Sequence, residues 1–133
     1  MNEKIIQKLI SIAKSSTKNS YSPYSNYKVG AALLTKSEKI FTGTNIENAS
    51  FPAGMCAERI TVFKAVSEGL KDFEALAIYA EGKNYPFPCG ICRQVIVEFC
   101  KDLPIIIAKS EKDFVIKNIS ELQPSIFEFE KSK

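Results

Sequence analysis

Four cysteines (Cys56, Cys89, Cys92 and Cys100) and the absence of any histidine frame the chemistry open to this chain of 133 residues. Cys89 and Cys92 form a C-x-x-C pair within "PFPCGICRQV", and Cys56 opens the earlier segment "CAERITVFKAVSEG". Both Cys56 and Cys89 fall where the pattern predicts the start of a helix. A helix start carries about half a positive charge and unpaired amide donors, so it favours thiolate over thiol. Thiolate is the form that binds zinc. Three sulfurs converging from two helix starts would hold one zinc ion with a fourth position vacant.

Two other readings compete for these cysteines. A lone C-x-x-C is also a thioredoxin-like redox pair, but that motif is expected just after the first strand of its domain, and here it lies two thirds along the chain. A closed four-cysteine zinc site would need Cys100 as fourth ligand. Such sites usually pair two cysteine knuckles, and Cys100 lies roughly 12 Å beyond Cys92 along the same predicted helix. Cys100 reads better as a buried core thiol.

With one position open, zinc lowers the pKa of water toward 7. Attack on carbon then needs a residue that takes and returns protons, and without histidine a carboxylate is the natural candidate. Glu58, two residues after Cys56, is the only acid inside either cysteine motif. Residues i and i+2 lie about 200° apart on a regular helix. Cys56 must therefore stand at the helix edge with its backbone not yet helical, as helix starts permit. A plain first-turn acid, favoured by the helix dipole, is the competing reading of Glu58.

Only two of the 18 basic residues are arginine, and each sits beside a cysteine motif: Arg59 and Arg93. Three thiolates on one zinc leave a net charge of −1, so guanidinium donors to the sulfurs would restore electrophilicity.

These residues need elements to position them. Ile5, Ile6, Leu9, Ile10 and Ala13 recur at helical spacing, predicting a helix over 3–15. "NSYSPYSNY" reads as a polar turn region, and "KVGAALLT" with "KIFTGTNI" as a β-hairpin around Lys36–Glu38. Residues 56–69 read as a helix with Ala57, Ile60, Phe63, Ala65 and Val66 in register, closed by Gly69. "FEALAIYAE" reads as a buried strand, residues 91–101 as a helix, and "LPIIIAKS" as an inner parallel strand. "KDFVIKNI" adds an edge strand and "SELQP" a last helical turn, before a tail "EFEKSK" expected to be loose at its end. The order α-β-β-α-β-α-β-β-α predicts an α/β fold with helices on both faces of one sheet.

The length fits a single domain over 1–133, and 45% hydrophobic with 25% charged residues is ordinary globular composition. A net charge of +3, with lysines spread along the whole chain, gives no basic face for nucleic acid. No run approaches a membrane span. Four cysteines without a secretory signal point to a reducing, cytoplasmic setting.

The segments "YSPYSNYKVGAALLT", "GTNIENAS", "CAERITVFKAVSEG" and "PCGICRQVI" together resemble the cytidine deaminases, specifically the small homotetrameric class. "CAE" and "PCGIC" are the three-cysteine variant of the zinc-deaminase signature. The resemblance implies a three-layer α-β-α sandwich with a five-stranded mixed sheet. It also implies hydrolytic deamination of cytidine and 2′-deoxycytidine in pyrimidine salvage, with one zinc per subunit. Cys56, Cys89 and Cys92 would be the ligands and Glu58 the proton shuttle. Asn45 and Glu47 of "NIEN" would hold the ribose 3′-hydroxyl. Tyr27 would pack on the base where relatives often carry Phe, and the Ala57 amide would bind the base carbonyl. Arg59 would temper the thiolate charge. Phe127 would cover a neighbouring subunit's site in a homotetramer. Phe87 stands where a small hydroxyl residue is common, and Phe51 where Tyr is frequent. The nearest rival within this chemistry is a blasticidin-type deaminase, against which the intact "NIEN" argues. Deamination of a polynucleotide fits less well, since the chain has no basic groove. A rival of another class is a non-catalytic zinc-stabilised binding module.

Overall fold

The computed structural model describes residues 1–130. Nine regular elements follow the predicted order: α1 (Glu3–Ser16), β1 (Gly30–Thr35), β2 (Ile40–Thr44), α2 (Ala57–Ser67), β3 (Phe73–Tyr79), α3 (Gly90–Phe99), β4 (Pro104–Ala108), β5 (Phe114–Asn118) and α4 (Ile119–Leu122). Short 3-10 turns at Thr17–Asn19 and Phe51–Ala53 add to these. The five strands form one mixed sheet in the order β2-β1-β3-β4-β5. Only β3 and β4 pair in parallel; the other three pairings are antiparallel.

Alternation along the strands builds the three layers. Ala32, Ala75, Ala77, Ile106 and Ala108 face Leu9, Ile10 and Ala13 of α1. Leu33, Leu76, Ile78, Ile105 and Ile107 face the other way, toward α2, α3 and Ile119 of α4. Successive strand residues point to opposite faces, so the two sets interleave along β3 and β4. Apart from Ile106, the strand side chains named under α1 are alanines, whereas those named under α2 and α3 are branched. Close approach is also enforced by glycine: a Cβ at Gly30 would meet the Ala13 carbonyl oxygen of α1 at 2.0 Å.

Helix α2 ends as its sequence predicts, on Gly69 at φ +86. The Leu70 N–H donates to the Ala65 carbonyl and the Gly69 N–H to that of Val66, the paired bonds of a Schellman cap. Its buried face departs from expectation. Ala57, Glu58, Thr61, Val62 and Ala65 turn inward, while Phe63 is 42% exposed and Ile60 only half-buried. Thr61 lies inside because its hydroxyl donates to the Ala57 carbonyl at 2.7 Å, which satisfies the polar group within the helix. Residues 123–130 form no helix or strand. The end of the "EFEKSK" tail, 131–133, lies outside the described residues.

Candidate metal centre and cleft

Helices α2 and α3 each begin at a cysteine. Cys56 is the N-cap of α2 at φ −78, ψ 153, and Cys89 the N-cap of α3 at φ −68, ψ 168. Both backbones are extended, and neither thiol makes a capping hydrogen bond to its helix. The extended conformation at Cys56 removes the i, i+2 conflict, because Glu58 then belongs to the first helical turn while Cys56 stands outside it. Cys92 follows one turn into α3, on the same face as Cys89.

The three sulfurs converge within 4.8 Å of one another. Cys56 Sγ lies 3.9 Å from Cys89 Sγ, and Cys89 Sγ lies 3.5 Å from Cys92 Sγ. Zinc–thiolate bonds of about 2.3 Å in a tetrahedron would place sulfurs about 3.8 Å apart. The cluster therefore fits zinc. Cys100 is not part of it; its Sγ donates to the Asp102 carbonyl at 3.2 Å. Expected as a buried thiol, Cys100 is half-buried at the edge of the core, since it lies where α3 gives way to extended backbone.

The electrostatics around the cluster are asymmetric. The hydrogen bond with the Cys92 thiol, helped by Arg59, lowers the Cys56 thiol to about 5. The same bond and burial push Cys92 up, so the shared proton stays on Cys92. Arg59 Nη2 donates to Cys56 Sγ at 3.4 Å. Its Nε is buried without a hydrogen-bond partner among the described residues. Glu58 is 5% exposed, and burial pushes its carboxyl up to about 7. Arg93, unlike Arg59, turns away from the sulfurs. Its Nε donates to the Pro88 carbonyl at 2.7 Å and its Nη1 to the Leu122 carbonyl at 2.8 Å. The reason is direction: helical side chains lean toward the N-terminus, which carries Arg93 back over Pro88.

A cleft of about 850 Å³ opens beside the cluster, with Cys56, Cys89 and Glu58 in its wall. Tyr27, Asn45, Glu47, Ala57 and Arg59 line it too, so ten widely separated positions reduce to one concavity apart from Cys92, just behind the wall, and Phe127. Ala57 is the first residue of α2, where backbone N–H groups have no intrahelical partner. Asn45 is anchored from within. Its Oδ1 accepts from Ser20 Oγ at 2.5 Å and from the Val29 N–H at 3.0 Å, and its Nδ2 donates to the Tyr27 carbonyl at 2.7 Å. One side-chain N–H of Asn45 remains to offer. Glu47 accepts from the Tyr24 N–H at 2.9 Å, the Ser25 N–H at 3.2 Å and the Ser25 hydroxyl, which together hold its carboxyl below the usual range. Burial, with the Glu58 carboxyl nearby, raises the Tyr27 phenol.

Phe127 is 73% exposed and outside the cleft of its own chain. Phe51 and Phe87 lie in the cleft wall. Tyr24, Ser25 and Tyr85 also line it without having been anticipated. For Ser25 the signal was present in the polar turn "SPYSNY", whose amides and hydroxyls suit a carboxylate. For Tyr85 there was none, because its hydroxyl partner, Asp113, lies on a different loop.

Residues 3–107 match the family model described as the cytidine and deoxycytidylate deaminase zinc-binding region. The chain is 42% identical over 123 residues to a cytidine deaminase of Sporosarcina psychrophila, covering 92% of this chain and 90% of the relative. It is 43% identical over 122 residues to a cytidine deaminase of Halalkalibacterium halodurans, covering 91% and 92%. Among solved structures, a cytidine deaminase from Burkholderia pseudomallei superposes with a TM-score of 0.88 at 38% identity, covering 96% of this chain and all of that one.

Proposed function

Since this chain belongs to the cytidine and deoxycytidylate deaminase zinc-binding family, we infer that it is a zinc-dependent deaminase of cytidine and 2′-deoxycytidine, releasing ammonia and the matching uridine. The observation that carries this reading is the three-sulfur cluster at two helix starts, with Glu58 buried beside it in the wall of a nucleoside-sized cleft.

Cys56, Cys89 and Cys92 would hold the metal, one ion per subunit. Zinc bound there supplies a Lewis acid that makes hydroxide available at neutral pH. Glu58 takes the proton released by the attacking water and passes it to ring nitrogen 3. After addition at carbon 4, Glu58 takes the proton of the new carbon-4 hydroxyl and delivers it to the amino group; the carbon–nitrogen bond breaks, ammonia leaves and the carbonyl of uridine forms. Burial suits both tasks, since a carboxyl raised to about 7 gains and loses a proton near neutrality. The Ala57 N–H donates to the base carbonyl, and the Tyr27 ring packs on the base. A ribose hydroxyl can accept the remaining Asn45 N–H while donating to Glu47, whose carboxylate is already aimed by the Tyr24–Ser25 turn. Arg59 offsets the negative charge of the thiolates.

The reading extends to a homotetramer in which Phe127, exposed on its own chain, covers the cleft of a neighbour. It also extends to a cytoplasmic role in pyrimidine salvage, supported by four unpaired cysteines, which suit a reducing compartment. No helix of the described residues is long and apolar enough to cross a membrane.

The deciding experiment incubates purified, zinc-loaded protein with cytidine and follows the fall in cytosine absorbance alongside metal analysis. Conversion to uridine with about one zinc per chain is expected. Zinc-loaded protein that leaves cytidine untouched would sink the assignment.

A further inference from the structure

Arg93 sits in the first turns of α3, where its N–H bonds the Cys89 carbonyl at 3.0 Å. A cation there is opposed by the helix dipole, so the dipole does not account for it. The side chain reaches no sulfur. It spans two backbone carbonyls instead: that of Pro88, immediately before Cys89, and that of Leu122, the last residue of α4.

The far end of this bridge is itself fixed. Asn118 and Glu121 form a capping box on α4, Ile119 is fully buried, and its N–H donates to the Leu103 carbonyl at 2.8 Å. Gln123 Nε2 also donates to Gln94 Oε1 at 3.4 Å, beside the bridge. The two N–H groups of a planar guanidinium leave in set directions, whereas an ammonium is a single point of charge. In a chain otherwise supplied with lysine, that difference explains an arginine here.

We propose that Arg93 is a positioning residue that ties the Pro88–Cys92 segment to the end of α4, so that the seating of two thiolates depends on the C-terminal segment. The proposal rests on the three-cysteine zinc reading. It differs from charge compensation, because geometry rather than charge is what the bridge supplies.

Two measurements test it. Zinc release to a competing chelator is followed in wild type, Arg93→Lys and Arg93→Gln, with far-ultraviolet circular dichroism as the control for folding. Both variants should release zinc about 10–100-fold faster, the usual effect of losing an outer support of a metal ligand. If Arg93→Lys holds zinc as firmly as wild type, whatever Arg93→Gln does, the bridge is not what matters and the proposal is overturned. The second measurement needs no mutant. Stripping zinc from wild type should speed amide hydrogen exchange at residues 119–122, because coupling between two places is reciprocal. Unchanged exchange there overturns the proposal. Wild-type protein that never takes up zinc would instead overturn the metal reading beneath it.

Discussion

At the scale of single residues, Glu58 separates an enzyme from a zinc-stabilised module. Replacing Glu58 by Gln keeps the shape of the side chain and removes the transferable proton. Turnover of cytidine should fall by about 10²–10⁴, while zinc content by metal analysis stays at the wild-type value, because Glu58 is not one of the three clustered cysteines that could hold the metal. Equal turnover in Glu58→Gln would return Glu58 to the status of a first-turn acid. The pairing of Cys56 with Glu58 was legible because both lie within three residues of a helix start, where spacing limits what geometry can do. The role of Arg93 was not. Proximity to Cys92 along the chain suggested the sulfurs, yet both of its acceptors are backbone carbonyls, which leave no mark in the sequence. Asn45 shows the same limit. Its type was informative, but the partners that use up most of its hydrogen-bonding capacity, Ser20 and Val29, are distant in sequence.

At the scale of elements, the site depends on where α2 and α3 begin, and α2 is held against β2 by the absence of a side chain. A Cβ at Gly43 would lie 2.4 Å from Thr61 Oγ1 and 3.0 Å from the Ala57 carbonyl oxygen. Gly43→Ala must therefore push the first turn of α2 outward, carrying Cys56 and Glu58 with it. Overpacking of this kind costs about 1–3 kcal/mol, so denaturant unfolding should show a lower midpoint with an unchanged slope. A midpoint equal to wild type would mean that α2 yields without strain. The succession of elements was readable because each carries its own period, 3.6 or 2. The inner face of α2 was not, since apolar residues surround much of that helix and a buried Glu58 and Thr61 displace Phe63 from the inside.

At the scale of the whole molecule, metal and folding are linked, and the linkage has a definite pH signature once zinc is removed. In the folded, metal-free chain the Cys56 thiol sits at about 5, below its ordinary value of 9.0. Its contribution to stability is present in full above pH 9 and is lost as pH falls through 5. Glu58 runs the other way, at about 7 against an ordinary 4.5. Its contribution is present below pH 4.5 and is lost as pH rises through 7. Between pH 5 and 7 the two slopes oppose each other, one proton bound against one released. Between pH 7 and 9 only the Cys56 slope remains, and Cys92, pushed upward, still holds its proton. The stability of chelator-treated protein should therefore be level from pH 5 to 7 and climb from 7 to 9, as read from urea midpoints across that range. A steady climb from pH 5 would mean that Glu58 is ionised throughout and that its burial is relieved when the metal leaves. A flat profile from 7 to 9 would mean that Cys56 keeps an ordinary thiol, and that the Cys92 bond and Arg59 do not hold it as a thiolate once the metal is gone.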